Sequence, residues 1–141
     1  MSVDLKAAIV ERLRLDVELS VLLPGGIYDR ATLSPTMGPP TPFDSVGRVR
    51  PCALARHEVS AAVGPRRRFD RQLVVIFFYD HAGYGAIDVA LERVRAMLHE
   101  QRLGHGAYQV WHVDTVRDQY DDALLAHMHR ARFEVARRGD G

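Results

Sequence analysis

The chain contains one cysteine, Cys52, one lysine, Lys6, and no apolar run longer than the seven residues Leu73 to Tyr79. Each scarcity excludes something. A single thiol builds neither an internal disulfide framework nor a cysteine-rich zinc site. A membrane-spanning helix takes about 20 consecutive apolar residues, and no such segment is present. Residues Met1 to Lys6 are polar and acidic where a secretory leader would be apolar, which argues against export by that route. Charge of one sign is also lacking. The formal net charge is +1, so no global basic field draws the chain to nucleic acid. There is no G-x-S-x-G elbow, no Walker loop and no Rossmann glycine fingerprint.

What is present is ordinary globular material. The 141 residues are 47% hydrophobic and 26% charged, enough for a single domain spanning 1–141 with its own core. The one unusual ratio is 18 arginines to a single lysine. Two explanations stand side by side: codon usage in a GC-rich genome, and the suitability of the planar guanidinium for packed, bidentate ion pairs at protein interfaces.

Residues 3–23 read as helical. Leu5, Ala8, Ile9 and Leu13 recur at helical spacing, and Asp16 can cap a second short turn that Pro24-Gly25-Gly26 ends. Ile27-Tyr28 is a minimal strand. Residues 31–47 form a long loop carrying Pro35, Pro39, Pro40 and Pro42, with no apolar period. A hairpin follows over 48–80. Its first strand, Arg48 to Val59, carries Pro51, which favours an edge or a bulge, its tip at 61–71 is marked by Gly64-Pro65, and its second strand is Phe69 to Tyr79. That strand is apolar on both faces: Leu73, Val75, Phe77 and Tyr79 on one, Val74, Ile76 and Phe78 on the other. Both faces therefore need a cover. The helices supply one cover, and a neighbouring subunit is expected to supply the other, so Phe77 and Phe78 are candidate interface residues. The residues leave open which of the two faces the chain's own core. A long amphipathic helix is predicted over 84–103 from Ile87, Ala90, Leu91, Val94, Met97 and Leu98. Two strands, 107–117 and 125–137, close the chain around an acidic turn, Asp118 to Asp122. The expected class is α+β: an antiparallel sheet of about four main strands, with an N-terminal helix and one long amphipathic helix packed on it.

Residues able to carry chemistry are few. His127 and His129 share one face of a strand and His112 lies on the preceding one, a conceivable zinc trio without supporting carboxylate spacing. Cys52 and His57 point to opposite faces and make no thiolate pair. Asp121 and Asp122 are adjacent, hence poor partners for acid–base work. Nothing here points to catalysis, a cofactor or a metal. The concentrated positive feature is Arg66-Arg67-Arg68 at the hairpin tip, suited to phosphate or to an acidic protein surface.

The order of elements carries a resemblance. It comprises the opening Leu5-Lys6-Ala7-Ala8-Ile9, the ending Leu22-Leu23-Pro24-Gly25-Gly26-Ile27-Tyr28, the proline-rich loop, the hairpin with Leu73 to Tyr79, and the tyrosine-led helix Tyr84-Gly85-Ala86-Ile87. The turn Asp118-Gln119-Tyr120-Asp121-Asp122 and the close Ala131-Arg132-Phe133-Glu134-Val135 complete it. Over nearly its whole length this resembles the tail terminator (tail completion) family of long-tailed bacteriophages and related phage-like particles. The resemblance implies a virion protein of the neck, assembled in the host cytoplasm. It implies a homo-oligomeric, usually hexameric ring on the head-proximal end of the tail tube. Such a ring contacts the tail tube protein and the head–tail connector or head-completion protein, lets DNA pass through its channel without specific binding, and has no catalysis, cofactor or membrane contact. Within that picture Arg66, Arg67 and Arg68 act through protein contacts. The alternatives are another neck component, such as a head-closure or tail-tube-like protein, and a small nucleic-acid-binding protein that uses the Arg66–Arg68 loop.

Overall fold

A computed structural model describes residues 4–58, 71–103 and 108–137. Helix α1 covers Leu5–Arg14 and α2 covers Val17–Leu22. Both begin on an aspartate: the Asp4 carboxylate accepts from the Ala7 amide and the Asp16 carboxylate from the Leu19 amide, each at 3.0 Å. These bonds satisfy amides that the first helical turn leaves without a partner. Strand β1 is Ile27–Tyr28, β2 is Cys52–Glu58 and β3 is Arg71–Asp80. Helix α3 is Gly85–Leu98, followed by β4, Tyr108–Asp121, and β5, Ala126–Arg137.

The five strands form one sheet in the order β1-β2-β3-β5-β4. Three features correct the expected architecture. The sheet is mixed, because β1 runs parallel to β2, and it has five strands rather than about four. Strand β2, for which Pro51 favoured an edge or a bulge, is interior and in unbroken register with β3: Pro51 lies just ahead of Cys52, so no ladder amide is missing where β1 and β3 pair. In place of one long amphipathic helix there are, among the described residues, three short ones. Helix α3 stops at Leu98, five residues before the expected end. Glu100 takes a positive φ of 61°, and 100–103 then lie against β4, with the Glu100 amide donating to Val110 O at 2.7 Å and the Leu103 amide to Tyr108 O at 3.1 Å. Tertiary pairing there overrides helical spacing.

The core lies between the sheet and the helices. Val74, Ile76 and Phe78 of β3 join Phe133 and Val135 of β5, Ile87, Leu91 and Val94 of α3, and Leu5, Ile9 and Leu13 of α1 in one buried cluster. A second cluster occupies the other sheet face at the end where β2 begins. There Tyr28, Leu33, Val49, Cys52, Leu54, Tyr79 and Ala126 are buried, with Met37 and Phe43 packed against them. The proline-rich loop thus folds across the sheet and supplies cover that a neighbouring subunit was expected to give.

Candidate functional site

Alternation along β3 sends Phe78 to the helix face, where it is fully buried, and Phe77 to the opposite face, where it is half-buried. Phe77 stacks on Tyr79 with ring centroids 6.2 Å apart, and the Arg56 guanidinium lies 5.4 Å above its ring. Both phenylalanines were candidate interface residues on opposite faces of the strand, with the choice of core face left open. The structure makes that choice: the surface of Phe78 is already occupied inside the chain's own core, and Phe77 alone retains exposed area. Arg66, Arg67 and Arg68, with the rest of the expected hairpin tip up to residue 70, lie outside the described residues; residue 71 opens β3.

Beyond the loop-covered half, the outer sheet face is held by charge. Register places Arg56, Val75, Arg132 and Asp114 side by side across β2, β3, β5 and β4. Arg132 Nε donates to Asp114 at 2.8 Å and its Nη1 donates to Glu58 at 2.9 Å, while its Nη2 makes a second bond to Asp114. This bidentate hydrogen bonding holds the Asp114 carboxyl below its ordinary range, and the two acids push the Arg132 guanidinium further toward its charged form. One arginine therefore links strands three apart in sheet order.

The histidines do not form the conceivable trio. His129 and His127 flank the Tyr84 ring, with centroids 5.1 and 4.7 Å away. His112 lies against His99 at 6.4 Å and bonds Thr115 Oγ1 at 2.7 Å. A different group converges instead: Asp88, Asp118 and His129 hold their ligand-capable atoms within 4.8 Å of one another. The Asp118 amide donates to His129 Nδ1 at 3.0 Å. That fixes the proton of the neutral ring on Nε2, which donates to Asp88 at 2.5 Å. Asp88 also accepts from Arg117 at 3.3 Å. Both ring nitrogens have protein partners, and the arrangement ties the first turn of α3 to the β4–β5 ribbon. Sequence spacing could not bring Asp118 to this point, because it sits at a β-bulge with φ 59°.

Cys52 is buried, and burial, followed by the charge of Asp80, pushes its thiol up to about 12. The protonated thiol is no nucleophile at neutral pH.

The two sheet edges differ. On the β1 side, Arg14 Nε donates to Ile27 O at 2.7 Å and Lys6 Nζ donates to Asp29 O at 3.5 Å, so side chains seal much of the short edge. On the β4 side, only the start of the strand is backed by 100–103. From Val113 onward no strand lies beside β4 among the described residues. Val113 and Tyr120 are about half exposed there. Two register shifts, at His112/Asp114 and Val116/Gln119, break the edge into short segments, a common guard against uncontrolled pairing.

No protein-family model matches the chain, and no curated protein matches its sequence. Among solved structures, its fold is similar to that of a chain in the virion of a native gene transfer agent (GTA) particle, with a TM-score of 0.61 and 17% sequence identity. The match covers 96% of this chain and 95% of that one.

Proposed function

We propose that this chain is a structural protein of a phage-like particle and acts as a tail terminator. In this reading copies of the chain form a ring, most simply of six, on the head-proximal end of the tail tube. The ring stops addition of tube protein and presents a surface to the head connector or head-completion protein. It is non-catalytic and needs no cofactor. The observation that carries the reading is the end-to-end fold similarity to a chain of a gene transfer agent virion. The order of elements in the sequence favours the terminator over other neck positions.

Electron microscopy of particles from a strain lacking the protein tests this. Tails of irregular, extended length without heads are expected, and supply of the wild-type chain restores uniform joined tails. Normal tails beside unjoined, leaking heads would make it a head-closure protein, and absence of any tube would make it a tube protein. Replacing Arg66, Arg67 and Arg68 together by Ala is expected to weaken capping without loss of the fold. Tight duplex DNA binding by the wild-type chain, falling steeply with salt and abolished by that triple substitution, would replace the terminator reading with a nucleic-acid-binding one.

A further inference from the structure

A cavity of about 480 Å³ opens beside β1, between the end of α2 and the proline-rich loop. Pro39, Pro40 and Met37 form an apolar wall, and Arg14 and Arg30 stand on its rim. Arg30 is exposed and makes no ion pair or hydrogen bond among the described residues; Arg14 bonds only the Ile27 carbonyl. Two cations without an acidic partner among the described residues thus border an apolar recess. Charge of the opposite sign lies at the other edge of the sheet. Strand β4 ends on Tyr120-Asp121, and the β4–β5 turn that follows carries Asp122 and Leu125; Tyr120 and Leu125 are 48% and 67% exposed. The Asp121 carboxylate accepts only from the Leu124 amide, at 2.9 Å, and Asp122 has no partner among the described residues.

The sheet sets the relation between the two features. Ile27 aligns with Ala53, Phe78 and His129 across β2, β3 and β5, and the β4–β5 turn leaves β5 three residues from His129. The cavity and the turn therefore lie near the same level along the strands, on opposite edges. Four strand spacings of roughly 4.8 Å separate the edges, so across the strands the two features are about 19 Å apart and a chain's turn does not reach its own cavity.

We infer that the acidic β4–β5 turn of one copy seats in the arginine-rimmed cavity of the next copy. Asp121 and Asp122 pair with Arg14 and Arg30, and Tyr120 or Leu125 covers the proline and methionine wall. Each copy gives one turn and receives one, a heterologous contact that generates a ring when its rotation closes. This rests on the ring proposed above and identifies the surfaces that close it.

Arg30→Glu and Asp122→Arg test the contact cleanly, since neither side chain bonds within the described residues of its own chain. Light scattering of the wild-type chain up to millimolar concentration is expected to show the ring. Each single variant, folded by circular dichroism, is expected to need at least tenfold more protein for half-assembly, or to remain at the 15.9 kDa of one chain. A chain carrying both changes restores opposite charges across the contact and is expected to regain the ring. Single variants that assemble like wild type, or a folded double variant that does not recover, would overturn this contact while leaving the ring standing. A wild-type chain that stays monomeric throughout would remove the ring and the contact together.

Discussion

On the helix side of β3, Val74, Ile76 and Phe78 are fully buried within a cluster that spans all three helices. On the other side the same strand places Val75, Phe77 and Tyr79 under an improvised cover. Tyr79 is buried beneath an irregular loop, and Val75, 6% exposed, lies between Arg56 and Arg132. Both sides keep water from apolar surface, by different physics. The helix side uses close packing, where each missing atom leaves a void. The outer side uses the aliphatic stems of arginines and a charge network, which can yield and let water in. An alternating apolar strand therefore announces that it is covered on both faces without saying what the cover is.

The largest effect that can break this contrast comes from truncating the two neighbouring phenylalanines. Phe78→Ala leaves a cavity in the helix-side core and is expected to cost about 3–5 kcal/mol. Phe77→Ala removes a half-buried ring and is expected to cost about 1–2 kcal/mol, because water can fill the space under Arg56. Urea denaturation of both variants checks the pair. Equal costs would mean that the outer face is packed as tightly as the core.

A smaller effect separates charge from packing. Arg132→Met keeps much of the stem over Val75 and removes the bonds to Asp114 and Glu58. The pair is partly exposed, so the expected loss is roughly 1 kcal/mol at low salt, shrinking toward zero near 1 M salt. The pH dependence carries a signature. Asp114 has its folded pKa depressed by Arg132, so its contribution is present above the unfolded carboxylate value and is lost as pH falls through the folded pKa. In Arg132→Met that acid-side loss is expected to diminish relative to wild type. Thermal unfolding from pH 2 to 6 at two salt concentrations measures it, and an unchanged acid limb would remove Arg132 as the cause.

The same contrast explains what could be read from the sequence. The helix side obeys periodicity: Leu5, Ile9 and Leu13, then Ile87, Leu91 and Val94, all predicted inward, are buried. The Asp16 cap and the minimal strand Ile27–Tyr28 were legible for similarly local reasons. The outer side obeys no period. A parallel pairing of two residues, Ile27 with Ala53 and Tyr28 with Leu54, leaves no pattern in the chain, yet it moves β2 from edge to interior. Bulges in β4 hide that 118–121 are strand rather than turn. The proline loop's role depends on Met37 and Phe43 reaching a cluster made by distant strands. The candidate surfaces were partly visible: Phe77 was singled out and keeps exposed area, while the Arg14, Arg30 and Asp122 arrangement depends on sheet order.

The smallest expected effect lies at the margin of the two regimes, where His112 in β4 sits on the helix side near the open edge. Its pKa is lowered from 6.5, first by burial and then by the charges of Arg95 and His99, with Asp114 acting in the opposite sense. A histidine kept neutral by folding binds its proton more readily in the unfolded chain. Between the folded pKa and about 6.5 the unfolded state therefore holds more protons, and stability rises with pH across that window. Below the folded pKa the penalty is complete and the slope from this residue ends. His112→Gln retains a polar partner for Thr115 and removes the titration. Comparing thermal midpoints of the two chains from pH 5 to 7.5 is expected to show a shallower rise in the variant. Parallel curves would mean that the imidazole reaches water as easily folded as unfolded, and that the tightly packed side of the sheet ends before His112.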